Sequence, residues 1–330
     1  MKAAKSAGGR LEIADIPVPE TTDSSVLVET EYSAVSTGTE LMVLRKGISA
    51  FLGYSATGIV KEVGRDVDHV RVGDRIVCYG ARTHADYFLA NRNHIAPLAG
   101  HVDPQEAALS GIATIAMQGL RQADLRFGET VVVLGLGIVG QLAAQIANAA
   151  AYRVVAMDLM ETRCAMLEKA GIANVCRSPE QVAERVGELT RGFGADCVLI
   201  CANTKEHRLI DLALEWIRDK GKIVIVGDTN TEFDRNKLFA KEAHITISRA
   251  GGPGRYDKAY EEEGRDYPYG YVRWTLQRNL EEFARLLASG RLRLKPLITG
   301  VYPLERLAEA YERAGEAPAE TMGTLIRFGD

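Results

Sequence analysis

One short segment constrains the fold of this chain more than any other. An apolar run at 131–134 leads into three glycines with the spacing G-x-G-x-x-G, at Gly135, Gly137 and Gly140, and then into an Ala-rich segment. In a strand–turn–helix unit the first glycine permits a tight turn, the second lets the backbone approach a pyrophosphate, and the third lets the helix pack close to the strand. The segment therefore predicts a Rossmann unit that binds a dinucleotide at a helix N-terminus.

A second apolar run, 153–157, ends in Asp158, eighteen positions after Gly140. A carboxylate at this place is expected to accept a hydrogen bond from a ribose hydroxyl. Because it would repel a 2′-phosphate, we expect NAD(H) rather than NADP(H). Arg163 could bind that phosphate, so NADP(H) stays an alternative. The predicted cofactor-binding residues are Gly135, Gly137, Ile138, Val139, Gly140, Asp158, Arg163, Cys201 and Gly227.

Composition narrows the class of protein. A chain of 330 residues is too long for one small core, so about two domains are expected. The formal net charge of -4 gives no electrostatic reason to bind nucleic acid or an anionic membrane. The uncharged window 130–152 could span a membrane, but its glycines and its Gln and Asn residues favour a buried strand and helix. With no C-x-x-C pair among five cysteines and no apolar leader after Met1, we expect reduced thiols in a cytoplasmic protein.

The pattern of apolar residues changes along the chain. Residues 1–114 alternate short strand-like runs with turns, residues 115–250 alternate strands and helices, and 251–330 hold a Gly- and Tyr-rich segment, a helix near 276–289 and a last strand. Alternation of strands and helices predicts a parallel sheet with helices on both faces. The expected fold class is therefore α/β, with a doubly wound parallel Rossmann sheet and a second, strand-rich domain.

Six further motifs occur along the chain: Gly58-Ile-Val-Lys-Glu-Val-Gly64, Val72-Gly-Asp-Arg-Ile-Val77, His84-Ala-Asp-Tyr87, Gln105-Glu-Ala-Ala-Leu109, Gly221-Lys-Ile-Val-Ile-Val-Gly227 and Pro296-Leu-Ile-Thr299. Together they resemble the motifs of the medium-chain dehydrogenase/reductase superfamily, which is alcohol dehydrogenase-like. The resemblance covers nearly the whole chain and implies a GroES-like catalytic domain from residues 1–114 and 251–330, with a Rossmann dinucleotide-binding domain at 115–250. It also implies a cleft where nicotinamide meets a small-molecule substrate, and a homodimer.

The resemblance ends at the positions where zinc members of the superfamily carry their ligands. Thr37 stands at the cysteine of the C-G-T-D motif, and Tyr54 and Ser55 stand at the histidine and glutamate of the G-H-E motif. A catalytic zinc needs about three Cys, His or carboxylate ligands, which hydroxyls do not supply. No cysteine lies between Tyr87 and Gln105, so the four-cysteine lobe is missing too. We therefore expect a zinc-independent member with no metal site.

Without a metal, side-chain donors must polarise the carbonyl or take the hydroxyl proton. Tyr54 is the first candidate, although a free phenol has a pKa of about 10 and would need a cation or dipole to lower it. A packed tyrosine with a satisfied hydroxyl is an equal alternative. Ser36 and Thr37 could orient the substrate oxygen, and Glu40 could orient other groups. Lys46 could supply positive charge, although a solvated surface position is the more expected role for it. The six histidines form no H-x-H or H-x-x-x-H pair, so structural roles are expected.

A second distinctive segment, 249–274, is rich in glycine, arginine and aromatic residues, and holds five of the twelve tyrosines. Such residues bind hydroxyls and carboxylates, and they also mark interfaces between subunits. A substrate wall and a dimer contact therefore both stay open. The segment also resembles a metal-free branch of the superfamily associated with polysaccharide and sugar-modification clusters. The predicted substrate-binding residues are Lys46, Arg249, Arg255, Tyr256 and Arg273.

The expected function is NAD(H)-dependent, zinc-independent interconversion of a secondary alcohol and a ketone on a polar ring, such as a sugar, cyclitol or aminocyclitol. One alternative is reduction of a quinone or enone, which usually uses NADPH. Another is oxidation of a hydroxyethyl group on a tetrapyrrole, because 36–40 also resembles the bacteriochlorophyllide dehydrogenase branch. A non-catalytic dinucleotide-binding protein is the third alternative, since fold alone does not imply activity.

Overall fold

A computed structural model of the chain describes residues 1–204, 206 and 208–329. Within these residues the strands are β1 (Lys2–Ala7), β2 (Arg10–Asp15), β3 (Ser25–Ala34), β4 (Ala50–Phe51), β5 (Ser55–Val63), β6 (Arg75–Tyr79), β7 (Tyr87–Asn91), β8 (Ile95–Pro97), β9 (Thr130–Leu134), β10 (Arg153–Met157), β11 (Val175–Cys176), β12 (Ala195–Ile200), β13 (Ile217–Ile225), β14 (His244–Ile247), β15 (Ile298–Pro303) and β16 (Gly323–Arg327). The α-helices are α1 (Thr37–Arg45), α2 (Pro104–Ala107), α3 (Ser110–Ala123), α4 (Ile138–Ala149), α5 (Glu161–Lys169), α6 (Pro179–Thr190), α7 (Leu209–Trp216), α8 (Arg235–Lys241), α9 (Lys258–Glu261), α10 (Leu276–Ala288) and α11 (Leu307–Glu316).

The chain divides into two units. The first, which we call the split unit, comprises residues 1–114, 251–290 and 294–330, and the second, the central unit, comprises 115–250 and 291–293. Residues 291–293 thus group with the central unit, whereas the sequence analysis assigned them to the other domain. Residues 291–293 group with the central unit because the Gln145 side chain hydrogen bonds to the backbone of Arg293.

The central unit contains a parallel sheet with the strand order β11-β10-β9-β12-β13-β14. The order runs in one direction from β9 to β11 and in the other from β12 to β14, so it reverses between β9 and β12. Open α/β sheets bind ligands at such a switch point, beyond the carboxyl ends of the strands. The prediction of a doubly wound parallel sheet is confirmed.

Both faces of this sheet are covered by helices because its strands are apolar on both sides. One face packs against apolar residues of α6 and α7, among them Val182, Val186 and Leu214. On the other face, α3 approaches so closely that a Cβ on Gly119 would meet Leu199 at 3.1 Å. The window 130–152, which could be read as a membrane span, is thus strand β9 followed by helix α4. Among the described residues, no helix is both long and apolar enough to cross a membrane.

The split unit is rich in strands, as the sequence predicts. A mostly antiparallel sheet has the order β15-β16-β3-β5-β6-β8, with β7 also paired to β3, and a smaller sheet has the order β2-β1-β4. Strands from the two ends of the chain meet in the larger sheet, where Leu325 of β16 pairs with Ala34 of β3. A cluster of buried residues that includes Val35, Leu52 and Tyr311 joins the same segments.

Helix α1 and the helices α6, α7 and α8 were not predicted from the sequence. In α1 the apolar residues do not form one face, and Glu40 is its buried residue.

All five cysteines are free thiols, as expected, and only Cys201 is partly accessible.

The substitution Gly140→Ala tests the close packing of α4 on the turn after β9. An added Cβ would lie 1.8 Å from the carbonyl oxygen of Gly135, so backbone must move. We expect the free energy of unfolding to fall by about 3 kcal/mol in urea denaturation. The control is Gly187→Ala within α6, where nothing lies within 4 Å of the new Cβ, so this variant should be as stable as the parent or up to about 1 kcal/mol more stable. Equal stability of the two variants would contradict the packing described here.

Candidate functional site

The turn after β9 has the backbone that the glycine motif predicts. Gly135 has a φ of +90°, which favours glycine, and a Cβ there would contact Ala202. Gly137 is the N-cap of α4 and carries no side chain to cap the helix, and the space beside its Cα is open. Backbone N–H groups at the start of α4, at Ile138 and Val139, thus lie at a helix N-terminus next to free space. This geometry fits a pyrophosphate, because the helix dipole and these donors favour an anion.

The ends of two further strands meet the same turn. Cys201 follows β12 and donates its backbone N–H to the carbonyl of Leu134 over 2.8 Å. A Cβ on Gly227, which follows β13, would lie 2.1 Å from the carbonyl oxygen of Ala202. Gly135, Cys201 and Gly227 are therefore brought together at the switch point of the sheet.

Asp158 follows β10 and binds this turn directly. Its buried carboxylate accepts the N–H of Leu136 over 2.7 Å and that of Met160 over 2.9 Å. The Arg163 guanidinium lies 3.4 Å from the carboxylate. Two lone-pair sites of the Asp158 carboxylate thus accept backbone N–H groups, and the Arg163 cation lies beside the carboxylate. The carboxylate can still accept from a ribose hydroxyl, but Arg163 weakens the like-charge repulsion of a 2′-phosphate.

Two hydroxyl groups form a pair in the split unit, far apart in sequence. Tyr54, between β4 and β5, donates its hydroxyl to the Oγ of Ser36, the N-cap of α1, over 2.6 Å. The side chain of Thr39 also hydrogen bonds to the Tyr54 hydroxyl. Burial raises the pKa of Tyr54 to about 12, with smaller opposing effects from these hydrogen bonds. The phenol therefore stays neutral at ordinary pH, which differs from the lowered pKa that a catalytic base would need.

The Glu40 carboxylate accepts hydrogen bonds from the backbone at Ser36 and from the backbone just before Tyr54. One carboxylate oxygen accepts the N–H of Ser36 over 3.0 Å and the hydroxyl of Tyr311 over 2.8 Å. The other oxygen accepts the N–H of Gly53, which precedes Tyr54, over 3.0 Å. Glu40 lies in the first turn of α1, where a negative charge is favourable, and its side chain reaches back to the N-cap N–H much as in a capping box.

His84 belongs to this cluster, a position that the sequence analysis did not single out. The ring is fully buried, its Nδ1 lies 2.5 Å from Ser33 Oγ, and its Nε2 lies 3.4 Å from Glu40. The edge of the ring faces Tyr311, with the ring centroids 6.4 Å apart. The only sequence signal was its place in a family-like motif, because Ser33, Glu40 and Tyr311 come from three distant segments.

Aromatic rings extend the cluster from Tyr54 toward Arg255. The ring centroids of Tyr54 and Tyr79 are 5.4 Å apart. Arg255 hydrogen bonds to Tyr79 and lies over the ring of Tyr256 at 4.8 Å, while its guanidinium pairs with Glu261. The structure thus brings Arg255 and Tyr256 to the hydroxyl pair, and it supplies Tyr79 and Thr39, which sequence reasoning missed.

Other predicted residues lie elsewhere. Thr37 begins α1 and Lys46 is its exposed C-cap, so nine residues of helix, about 14 Å, separate their backbones. Arg273 lies over Trp274 at 3.9 Å and over Tyr269 at 4.6 Å. Arg249 is exposed in the central unit. The exposure of Lys46 agrees with the solvated surface that the sequence analysis also allowed for it, and its role in charge stabilisation stays a prediction.

The donor set around Tyr54 fits zinc poorly. The Ser55 hydroxyl, at a position where zinc members carry a ligand, donates to the carbonyl of Ala108 over 2.6 Å. The Glu40 carboxylate is occupied by the donors given above. In the part of the chain that the structure describes, no group of three or more His, Cys, Asp and Glu residues could hold a metal ion. His207 lies outside the described residues.

Two protein families match this chain. Residues 22–118 match the family described as alcohol dehydrogenase GroES-like domain, and residues 139–263 match the family described as zinc-binding dehydrogenase. With the fold above, these matches mean that the chain belongs to the medium-chain dehydrogenase/reductase, alcohol dehydrogenase-like superfamily, whose members are nicotinamide dinucleotide-dependent oxidoreductases.

Two proteins similar to this chain are sugar or polyol dehydrogenases. D-guloside 3-dehydrogenase from Escherichia coli (strain K12) is 29% identical over 84% of this chain and 77% of its own length. D-arabitol-phosphate dehydrogenase from Enterococcus avium is 25% identical over 95% of this chain and 94% of its own length. Among solved structures, one described as a zinc-binding dehydrogenase from Sinorhizobium meliloti 1021 bound to NADP superposes with a TM-score of 0.78 at 19% identity, and covers 99% of this chain and 98% of that one.

The substitution Tyr311→Phe tests the hydrogen bonds around Glu40. It leaves a buried carboxylate without one of its donors, so the free energy of unfolding should fall by about 1–3 kcal/mol in urea denaturation. The control is Tyr302→Phe, because Tyr302 is half-buried in the same unit and lies against Arg306 at its surface. The control should stay within about 0.5 kcal/mol of the parent. If both variants lose the same stability, the Tyr311 hydroxyl does not support Glu40.

Proposed function

We propose that this protein is an NAD(H)-dependent, zinc-independent oxidoreductase that interconverts a secondary alcohol and a ketone on a polar ring, such as a sugar, cyclitol or aminocyclitol. In this proposal the split unit is the catalytic domain and the central unit the dinucleotide-binding domain. The observation that carries it is the hydrogen-bonded Ser36–Tyr54 pair, held by Glu40, in which Tyr54 stands where zinc members carry a histidine ligand. The guloside and arabitol-phosphate dehydrogenases support a polyhydroxylated substrate.

The hydroxyl pair can bind the reacting oxygen as a neutral donor. Tyr54 donates to Ser36, which leaves the hydrogen of the Ser36 hydroxyl free to point at a substrate oxygen. A bound nicotinamide would accept the hydride of the alcohol while the hydroxyl proton passes to solvent, and both transfers would reverse when the ketone is reduced. The hydroxyl pair orients the oxygen and stabilises the charge that develops there. Thr37 begins the helix that Ser36 caps, so its half-buried side chain can add a second contact.

Arg255 and Tyr256 are proposed to bind the rest of the substrate. Tyr256 is exposed and Arg255 is held against it by Glu261, so the pair offers a phenol, a ring face and N–H donors to a polyol. Arg249, Arg273 and Lys46 stay predictions of the sequence that no contact of the described cluster supports.

Zinc independence rests on the chemistry of the side chains. Zinc requires about three ligands of Cys, His or carboxylate type, and Thr37, Tyr54 and Ser55 offer hydroxyls instead. Glu40, the nearby carboxylate, already accepts hydrogen bonds from two backbone N–H groups and one phenol. A cytoplasmic location and a homodimer are also proposed, the first from the free thiols and the second from the family resemblance.

The first test is absorbance at 340 nm with chelator-treated protein, NAD⁺ and a panel of sugars, cyclitols, aminocyclitols and simple secondary alcohols. We expect reduction of NAD⁺ with a polyhydroxylated ring.

Tyr54→Phe should lower kcat on the order of 10²-fold, while the control Tyr302→Phe retains it. Because the pKa of Tyr54 is about 12, kcat between pH 6 and 10 should show no ionisation that Tyr54→Phe removes.

Three results would overturn this assignment. Activity that is lost with chelator and restored by zinc would mean a metal-dependent enzyme. An unchanged kcat in Tyr54→Phe would remove Tyr54 from the chemistry. Bound NAD(H) without turnover, or turnover confined to quinones and enones, would support one of the alternative functions.

The cofactor preference is tested by Asp158→Asn, which keeps the size of the side chain and removes its charge. The ratio of kcat/KM with NADP⁺ to that with NAD⁺ should rise at least about tenfold, because the negative charge facing the 2′-phosphate is gone and Arg163 remains. Glu184→Gln, at an exposed position of α6, is the control and should leave the ratio unchanged. A wild-type preference for NADP⁺, or an unchanged ratio in Asp158→Asn, would refute the NAD(H) assignment.

A further inference from the structure

The backbone and the ring of His84 pack directly against Gly53, the residue before Tyr54. The His84 N–H donates to the carbonyl of Leu52 over 3.2 Å, and the Thr83 N–H donates to the carbonyl of Gly53 over 3.3 Å. Gly53 has a φ of +86°, and a Cβ there would lie 2.8 Å from Cγ of the His84 ring. No side chain fits between them, so the ring limits where the Gly53 backbone, and with it Tyr54, can lie.

The two nitrogens of the His84 ring face different polar groups. Nδ1 lies 2.5 Å from Ser33 Oγ, to which it is hydrogen bonded, whereas Nε2 lies 3.4 Å from a carboxylate oxygen of Glu40. The contact at Nε2 does not have the geometry of a hydrogen bond, and this buried atom makes none to any residue that the structure describes. The side chains of His84 and Glu40 are 0% and 4% exposed, so little water screens charge between them.

These neighbours determine which ring nitrogen carries the proton. If Nδ1 carried the only proton, the lone pair of Nε2 would face a carboxylate at 3.4 Å, and the contact would be repulsive. With the proton on Nε2 the same contact is attractive, and Ser33 Oγ can donate to Nδ1. The Nε2 proton then adds a positive dipole next to the Glu40 oxygen that accepts the N–H of Ser36 and the hydroxyl of Tyr311.

We propose that His84 is a positioning residue for the Ser36–Tyr54 hydroxyl pair. It acts through a proton on Nε2 next to Glu40 and through the contact of its ring with Gly53. This role rests on the proposed function, in which the pair orients the reacting oxygen. The ring is fully buried and touches no substrate, so its effect passes through Glu40 to the backbone N–H groups that Glu40 binds. Because the pair acts as charge develops on the oxygen, a displaced pair should lower kcat more than it raises KM.

The first measurement needs no enzymatic activity. ¹⁵N spectra of the imidazole nitrogens, with His84 assigned by the resonances that His84→Gln removes, should show a proton on Nε2. A ring with its proton on Nδ1 alone would overturn the proposal. If the variant does not fold, the His84 resonances are assigned in the wild-type protein by the contact of this ring with Tyr311, whose ring centroid lies 6.4 Å away.

Two substitutions separate the roles of the ring nitrogens. The amide nitrogen of Gln lies as many bonds from Cα as Nε2 does, so His84→Gln keeps an N–H donor that reaches Glu40. Asn reaches only as far as Nδ1, so His84→Asn can bind Ser33 but not Glu40. We expect His84→Asn to lower kcat at least about tenfold with KM within about threefold, and His84→Gln to keep kcat within about threefold. The matched control, Thr57→Val, removes another buried hydrogen bond of the split unit, to the carbonyl of Ile76, and should retain kcat.

The position of the hydroxyl pair is measured directly by the ¹³C resonance of Tyr54 Cζ, the ring carbon that carries the hydroxyl. This resonance is assigned by its loss in Tyr54→Phe, and it reports on the hydrogen bond to Ser36. It should move in His84→Asn and stay at the wild-type position in His84→Gln and in Thr57→Val. A resonance that is unchanged in His84→Asn would overturn the proposal.

Failure of the positioning role and failure of the proposed function give different results. If wild-type protein oxidises a polyhydroxylated ring but both His84 variants lose kcat equally, or His84→Asn retains it, His84 does not act through Nε2. If wild-type protein oxidises no such substrate, the proposed function is wrong. The ¹⁵N and ¹³C spectra then still decide whether His84 positions the hydroxyl pair.

Discussion

The buried carboxylate of Glu40 is the group on which the polar side chains of the split unit depend. An interior charge is stable only when hydrogen bonds replace its hydration. Here the N–H groups of Ser36 and Gly53 and the hydroxyl of Tyr311 do so. Two of these donors belong to the backbone that places Ser36 and Tyr54. The hydrogen bonds that stabilise the Glu40 carboxylate therefore help to set the short distance between the Ser36 and Tyr54 hydroxyls. The hydrogen bond between the two hydroxyls contributes as well.

This dependence changes the chemistry expected of Tyr54. From the sequence, a catalytic phenol near Lys46 would need a lowered pKa. In the structure Lys46 is the exposed C-cap of α1, and burial raises the pKa of Tyr54 to about 12. The neutral Tyr54 phenol, which donates to Ser36, can help to polarise a substrate oxygen without carrying a charge itself. The arrangement thus favours fixed hydrogen-bond donors over an ionised base.

The two units differ in how much of their structure the sequence reveals. The turn at Gly135 and Gly140 depends on contacts between residues close in sequence, so the glycine spacing predicts it, and the run of strands and helices predicts the parallel sheet. Glu40 and Tyr311 are bonded across 271 positions, and Ser33 and His84 across 51. No local pattern encodes such pairs. The hydroxyls at 36 and 54 were found only through the family resemblance, and His84 and Tyr311 were not found.

The bond between Glu40 and Tyr311 also sets an order for assembly on the ribosome. Synthesis at about 5–20 residues per second separates the two residues by roughly 15–50 s. During that interval the Glu40 carboxylate lacks the Tyr311 donor and β3 lacks its partner β16. The parallel sheet of the central unit is complete by residue 247, well before β16 is made. The first segment of the nascent chain is therefore still unpaired when all strands of the central sheet have been made, and the hydroxyl pair gains its full support last.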